Sequence, residues 1–152
     1  MGIRRQAREA ALQILYMMDI AKLPLADASN LIWGGVELPP KAKEFADMLA
    51  QGASEHRPSL DQIIVKYAAN WELHRMAAID RNLLRLAAYE LLHHADTPIS
   101  VVIDEAVEIA KSFSTLDSGK FVNGILDKIK LERPDGGNET RPPPAEESDN
   151  PA

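Results

Sequence analysis

The architecture of this 152-residue chain is set by residues 76–93, which read MAAIDRNLLRLAAYELLH. Apolar side chains recur in this stretch at helical spacing, at Ile79, Leu83, Leu86, Ala87 and Leu91. Because an α-helix turns once in about 3.6 residues, this spacing places them on a single face. The pattern therefore predicts a helix from about residue 76 to residue 93.

The same periodicity continues through most of the chain. It predicts six further helices, over about residues 3–18, 24–32, 41–53, 58–67, 97–110 and 115–129. Thr97 or Ser100 can cap the sixth helix of the chain, and Ser114 or Thr115 the seventh. Glycines and prolines at residues 34–40 indicate a break. No window alternates with period two for long enough to form a strand, so we expect an all-α bundle of about seven short helices.

The composition excludes several classes of protein. Hydrophobic residues make up 45% and charged residues 26% of the chain, as in an ordinary globular domain. The chain has no cysteine, which excludes disulfide scaffolds, iron–sulfur clusters and cysteine nucleophiles. No apolar run approaches the roughly 18 residues that span a bilayer, and Arg4, Arg5 and Arg8 stand where a signal peptide needs apolar residues. We expect a soluble, cytoplasmic protein without membrane contact.

The net charge of −6 is concentrated at the C-terminus. Residues 132–152 carry six acidic and two basic side chains, a net charge of −4, which leaves −2 for residues 1–131. Residues 133–152 also hold five of the ten prolines and no Ile, Leu, Val or aromatic residue. Such a segment cannot bury enough apolar surface to offset chain entropy. We therefore predict a helical domain over residues 1–131 and a disordered, acidic, Pro-rich tail over residues 132–152.

Three arginines open the first predicted helix. Arg4 and Arg8 lie four residues apart on one face, and Arg5 is adjacent to Arg4. Cations at a helix N-terminus oppose the macrodipole, so local helix stability gives no reason for them. The segment is either a solubilising end or a contact for phosphate groups, and the residues alone leave both interpretations open.

A second polar segment, residues 111–124, joins the last two predicted helices and reads KSFSTLDSGKFVNG. Exposed phenylalanine beside lysine and asparagine is the combination that stacks on single-stranded bases and hydrogen-bonds to them. A phenylalanine buried at a helix N-terminus is the alternative, and the residue types alone favour it. Gly119-Lys120 is not a phosphate-binding loop, because Phe121 follows where such a loop needs Ser or Thr.

Three long motifs resemble the NusB family of bacterial transcription antitermination factors. They are residues 4–16 (RRQAREAALQILY), residues 79–91 (IDRNLLRLAAYEL), and residues 103–113 (IDEAVEIAKSF) with residues 120–127 (KFVNGILD). Their order and spacing agree with the family from about residue 3 to residue 130. The resemblance implies the all-helical NusB fold, in which two packed helical subdomains share a buried central helix at residues 79–91.

The resemblance also implies a function without catalysis. The family binds boxA, an element of nascent single-stranded RNA, together with NusE, a ribosomal protein. The pair joins a complex on RNA polymerase that suppresses premature termination on ribosomal RNA operons. No cofactor or metal is implied. Two alternatives stay open: a domain that serves an RNA-modifying enzyme, and a helical module that self-associates as a homodimer.

The family motifs assign site residues by position. Those expected at RNA are Arg4, Arg5, Arg8, Tyr16, Asp117, Lys120, Phe121 and Asn123. Phe121 is the candidate base stacker, while Asp117 places a like charge near phosphate and would moderate affinity. Asp80 and Arg85 are the candidates for the NusE-facing surface. Gly119 replaces a larger polar residue that is common in the family, which removes a possible contact and loosens the helix start.

Overall fold

The computed structural model describes residues 2–69 and 71–134. Seven α-helices lie within these residues: α1 (Ile3–Ile20), α2 (Leu25–Trp33), α3 (Pro40–Glu55), α4 (Arg57–Tyr67), α5 (Ala78–His93), α6 (Ile99–Phe113) and α7 (Leu116–Ile129). Single 3₁₀ turns, Leu73–Arg75 and Lys130–Glu132, precede α5 and follow α7. No strand occurs in the described residues, so the predicted all-α fold of about seven helices is confirmed. None of these seven helices combines the length and the apolar character that crossing a membrane requires.

Proline and threonine residues determine where several helices begin. Pro24 and Pro98 are extended directly before α2 and α6, and Pro40 is the first residue of α3. Proline suits a helix start because its fixed φ matches the first turn and its missing N–H needs no partner there. Thr115 caps α7, since its hydroxyl accepts a hydrogen bond from the backbone N–H of Ser118 at 3.0 Å. Of the two predicted cap residues for this helix, Thr115 is the one used.

α5 is the central helix of the domain. It packs against two groups of helices. The first group is α1 and α3, which contact each other, and the second is α4, α6 and α7, in which α7 contacts both α4 and α6. Both groups of helices share one continuous hydrophobic core. The α5 side chains in that core include Leu83, Leu84, Leu86 and Leu91, each at most 2% exposed. The central helix and the two packed groups of helices are therefore confirmed.

Two sets of buried charges hold α1 against α5. Near the start of α1, Arg8 donates from Nε and Nη2 to the two carboxylate oxygens of Glu90, at 2.9 and 2.6 Å. Near the end of α1, the Asp19 carboxylate accepts hydrogen bonds from Arg81 at 2.7 Å, Asn82 at 2.9 Å and Arg85 at 3.1 Å. The early part of α1 thus meets the late part of α5, and the late part of α1 meets the early part of α5. The two helices therefore run antiparallel.

The side chains around Asp19 set its ionisation. Burial raises the pKa of Asp19, but hydrogen bonds from Arg81 and Asn82 and the charges of Arg81 and Arg85 outweigh burial. The pKa of Asp19 therefore lies well below its ordinary value. A carboxylate whose pKa falls on folding stabilises the fold above its unfolded pKa of about 3.9, and that stabilisation is lost as the pH falls through the folded pKa.

The chain that follows α7 packs back on the helical body. Glu132 accepts hydrogen bonds from two side chains of α4, at 2.8 and 2.7 Å. Arg133 is 5% exposed, and its guanidinium donates to the carbonyl oxygens of Ala95 and Thr97. Residues 135–152, which make up most of the predicted tail, lie outside the described residues. The domain boundary and the disorder of the tail therefore stay predictions.

Replacing Asp19 by Asn tests whether this buried charge stabilises the fold. At neutral pH the variant lacks the carboxylate that faces the α5 arginines, so its free energy of unfolding should fall by about 3 kcal/mol. Below about pH 4 the wild type loses this contribution progressively, so at about pH 3 the difference between the two proteins should be smaller than at neutral pH but still present. Urea unfolding at neutral pH and at about pH 3 measures both effects.

The matched control is Asp127→Asn, which removes a carboxylate that is 60% exposed on α7. We expect this change to alter stability by less than about 0.5 kcal/mol. Equal stability of the Asp19 variant and the wild type at neutral pH would contradict the proposed role of the buried charge.

Candidate nucleic-acid interface

The first turns of α1 place Arg4 and Arg5 at the surface. Arg4 is exposed, and its guanidinium carbon lies 4.1 Å from the centre of the Phe45 ring. Arg5 is half-buried and donates to both carboxylate oxygens of Glu105 on α6, at 2.8 and 2.9 Å. Arg4 thus offers an exposed charge beside a ring, whereas the charge of Arg5 is already paired within the protein.

Arg8 points into the protein, which corrects the expectation that it serves RNA. The residue is 4% exposed, and its Nε and Nη2 are taken up by Glu90. Drawing this guanidinium away would leave a buried carboxylate unpaired. The sequence carried a signal of this burial, because Arg8 stands at helical spacing from the buried residues Ala11, Leu12 and Leu15.

The exposed face of α6 beside Arg5 is acidic. Asp104 and Glu108 are exposed, and Glu105 is half-buried against Arg5. The hydrogen bond from Arg5 holds the pKa of Glu105 below its usual range. Burial, together with the charges of Glu105 and Glu108, raises the pKa of Asp104. This cluster of carboxylates opposes the approach of phosphate groups.

A shallow groove separates the acidic face of α6 from α7. Its volume is about 480 Å³, and Lys120 and Asn123 of α7 line it together with Asp104, Glu108 and Lys111 of α6. Lys120 and Asn123 are exposed, while Lys111 donates a hydrogen bond to Glu108 at 3.0 Å. The groove therefore offers an exposed ammonium group and an exposed amide next to carboxylates.

Gly119 allows α6 and α7 to approach each other at this groove. The residue is buried, and a Cβ added to it would lie 2.8 Å from Lys111 Cγ and 3.5 Å from Val107 Cγ1. From the sequence, this glycine is expected to remove a contact and to loosen the helix start. The structure adds a packing role, since a side chain here would push the two helices apart or displace Lys111.

Phe121 lies on the flank of α7 opposite to the groove. It is half-buried and packs against the hydrophobic core. Its ring centre is 5.6 Å from that of Trp71, with 68° between the ring planes. Trp71 is 50% exposed in the connection between α4 and α5, and it is not among the residues that the sequence predicts at RNA. A tryptophan outside any helix carries no periodic signal, and nothing in local spacing links it to Phe121.

Arg5 and the groove lie on the two flanks of the exposed face of α6. Glu105 binds Arg5, and Asp104 lines the groove. These consecutive residues of α6 lie about 100° apart around the helix axis. Arg5 therefore lies on one side of α6, and the groove with Lys120 and Asn123 lies on the other. One strand of nucleic acid can reach both, but it has to cross the acidic face.

Tyr16 and Asp117 lie farther from the arginines. Tyr16 is half-buried, about 16 Å along α1 from Arg5. Asp117 is exposed in the first turn of α7, where its carboxylate also meets the positive end of the helix dipole. Tyr16 thus lies toward the end of α1 and Asp117 at the start of α7, whereas Arg4 and Arg5, here called the arginine edge, lie in the first turn of α1.

Asp80 and Arg85 are buried, which corrects the expectation that they face a partner. Arg85 is 3% exposed, and its guanidinium binds Asp19 and Asp61. Asp80 is 8% exposed, accepts a hydrogen bond from the Ser118 hydroxyl at 3.2 Å, and has its pKa raised by burial. Both side chains therefore fix α5 against its neighbours: Arg85 against α1 and α4, and Asp80 against α7.

The fold and this surface define a small all-helical protein whose exposed cations, amide and rings suit a single-stranded nucleic acid. The described residues bring no three His, Asp or Glu side chains together as a metal ion requires. The model of the NusB family matches residues 5–130. The chain belongs to the NusB family, which confirms the resemblance seen in the three sequence motifs.

Individual relatives agree over most of the chain. The transcription antitermination protein NusB of Trichlorobacter lovleyi is 48% identical over 130 residues, which cover 86% of this chain and 92% of the relative. The solved structure of T. maritima NusB has a TM-score of 0.79 at 42% identity and covers 86% of this chain and 92% of its own. A chain from the crystal structure of antitermination factors NusB and NusE in complex with dsRNA has a TM-score of 0.78 at 27% identity, with coverage of 86% and 97%.

Replacing Gly119 by Ala tests the close approach of α6 and α7. The added Cβ meets Lys111 Cγ at 2.8 Å, so the lysine side chain or the helix has to shift. Overpacking costs about 1–3 kcal/mol, which outweighs the gain of up to about 1 kcal/mol from replacing glycine in a helix. We expect a lower free energy of unfolding, measured by urea titration.

Gly124→Ala on the same helix is the control. No atom lies within 4 Å of a Cβ added to Gly124, so this variant should be more stable than the wild type. If both alanine variants were stabilised alike, the packing role assigned to Gly119 would be wrong.

Proposed function

We propose that this protein is a transcription antitermination factor that binds boxA-type single-stranded RNA together with NusE. The observation that carries the proposal is its membership of the NusB family over residues 5–130, nearly the whole helical domain. The relative from Trichlorobacter lovleyi is a transcription antitermination protein. A chain similar to this one comes from a crystal structure of antitermination factors NusB and NusE in complex with dsRNA.

In this function the protein acts by binding and catalyses no reaction. With NusE it joins a complex on RNA polymerase and helps the enzyme resist premature termination on ribosomal RNA operons. We place it in the cytoplasm, because it has to meet the transcript there as it is made.

The arginine edge and the α6–α7 groove form the RNA surface in this proposal. Arg4 and Arg5 contact phosphates on one flank of α6. Lys120 and Asn123 contact a phosphate and base edges on the other flank, and Phe121 stacks on a base beyond the groove. The support for a shared strand is geometric, since Arg5 and the groove lie on the two sides of a single helix, α6.

Tyr16 and Asp117 have secondary roles in the same proposal. Asp117 is exposed in the first turn of α7, one turn before Phe121, so its charge moderates affinity for phosphate. Tyr16 is half-buried and contacts RNA or NusE only through its exposed part. Because Asp80 and Arg85 are buried, other exposed residues have to form the NusE-facing surface.

Electrostatics give a physical reason for a second protein in the complex. Arg5 is paired with Glu105, Arg8 is buried, and the α6 face between the two contact regions is acidic. The protein alone therefore neutralises few phosphates and binds RNA weakly. A partner that adds phosphate contacts raises both the affinity and its dependence on salt.

A salt-dependent RNA titration tests the function directly. With two to four phosphates contacted, the logarithm of the binding constant should fall with the logarithm of salt with a slope of about −1.4 to −2.8. Adding NusE should tighten binding and steepen the slope. Fluorescence anisotropy of labelled boxA RNA measures both, with a scrambled RNA of equal length as the control. Failure to bind boxA RNA with or without NusE would refute the function.

Replacing Glu108 by Gln tests the effect of the acidic face. The change removes a carboxylate beside the groove and frees Lys111 from its hydrogen bond at 3.0 Å. RNA affinity should rise several-fold, and the salt slope should become steeper by roughly 0.7, as for one more phosphate contact. The same anisotropy titration measures the change.

Glu37→Gln is the matched control, because Glu37 is exposed in the connection between α2 and α3, away from the groove. Its RNA affinity should equal that of the wild type. A Glu108 variant that binds no better than this control would argue against a strand crossing α6.

A further inference from the structure

Trp71 is held half-exposed at the surface beside Phe121. It is 50% exposed, and its backbone N–H donates to the carbonyl oxygen of Ala68 at 2.9 Å. The two rings meet edge to face, with centres 5.6 Å apart and 68° between their planes. Aromatic side chains contribute large contact areas, and the indole adds a polar N–H at its edge. An exposed indole supported by a second ring is therefore a candidate binding surface.

The face of α7 around Phe121 is open and flanked by cations. Phe121, Gly124 and Lys128 follow at three- and four-residue spacing and share this face. A Cβ added to Gly124 would meet no atom within 4 Å, so the surface beside the ring is flat and accessible. Lys128 is exposed on this face about 10 Å along the helix from Phe121, and the exposed Lys120 lies at the edge of the face toward the groove. Asp117 is the exposed carboxylate at the start of this face.

We propose that Trp71 and Phe121 together form one stacking platform for the single-stranded RNA, with Trp71 a base-contacting residue. Because the ring planes are 68° apart, each ring offers its own face, and two neighbouring bases are splayed across the pair. Every base presents a π-face, so such a platform tolerates different sequences. Lys120 and Lys128 pair with the phosphates on either side. These flanking cations favour a polyanionic strand over an apolar protein segment as the occupant.

This platform rests on the proposed function and extends the RNA path. The strand runs from the arginine edge across α6 to the α6–α7 groove, then over α7 to the connection before α5. Stacking does not depend on unpaired cations, so the platform supplies affinity that the acidic face of α6 does not oppose. It therefore accounts for RNA binding by a domain with few free arginines.

Tryptophan fluorescence tests the contact directly. The chain has two tryptophans, so Trp33→Phe leaves Trp71 as the sole fluorescent indole. Trp33 lies on α2 and donates to Asp47 at 2.8 Å, so circular dichroism should verify the fold of this variant. Adding boxA RNA should quench Trp71 and saturate at the concentration where the anisotropy of labelled RNA saturates. Binding without quenching would overturn the platform, and so would quenching by NusE in the absence of RNA.

Substitutions measure the contribution of each ring. Trp71→Ala should weaken RNA binding by about 5- to 100-fold, and Trp71→Phe should retain most of the affinity. Phe121→Leu, which keeps an apolar side chain against the core, should lose a similar amount. The salt slope should stay unchanged in these variants, because no phosphate contact is removed. Leu31→Ala, at a residue that is 54% exposed on α2, is the control and should bind like the wild type.

The outcomes separate the platform from the function on which it rests. Wild-type affinity in Trp71→Ala would overturn the platform and leave the proposed function standing. Failure of the wild type to bind boxA RNA, alone and with NusE, would overturn the function itself. If Trp71→Ala does not fold, the fluorescence titration of Trp33→Phe decides the question.

Discussion

A bidentate ion pair between Arg8 and Glu90, 5% and 1% exposed at their side chains, joins the first helix to the central helix. Each charge has lost its hydration, and removing either partner alone leaves the other unpaired in the core. Asp19, near the end of α1, binds Arg81 and Arg85 near the start of α5 and so fixes the other end of the same helix pair. Because α1 is held at both ends, its first turn cannot swing freely, and Arg4 and Arg5 stay beside α6. The position of the arginine edge is therefore a consequence of charges that are buried in the core.

The exposed surface combines attraction and repulsion around α6. Arg5 is drawn to Glu105, and the neighbouring carboxylates oppose phosphate on the path toward Lys120. Rings at Phe121 and Trp71 lie beyond the groove, where stacking adds affinity without charge. In the proposed function, a surface of this kind holds an RNA strand weakly by itself, and its affinity depends on contacts that a second protein supplies. This balance links the buried architecture to a role inside a larger complex.

The sequence predicted the helices well because periodic burial is a local property. Residues 76–93 and the cap at Thr115 were both accessible from spacing and residue type. Arg8 was misassigned because its charge was weighed without its position on the buried stripe of α1. The contacts of Arg5 with Glu105 and of Trp71 with Phe121 join residues far apart in the chain. Local spacing holds no information about such pairs, so only the fold could reveal that the acidic face of α6 borders Arg5 and that a second ring lies beside Phe121.

A double-mutant cycle on the Arg8–Glu90 pair tests this account most directly. The cycle compares Arg8→Met, Glu90→Leu and the double variant by urea unfolding. Each single variant should lose about 3–5 kcal/mol of stability, whereas the double variant should lose much less than their sum, with a coupling of at least about 2 kcal/mol. Losses that simply add would show that the two charges do not stabilise each other, and the central claim would then be wrong.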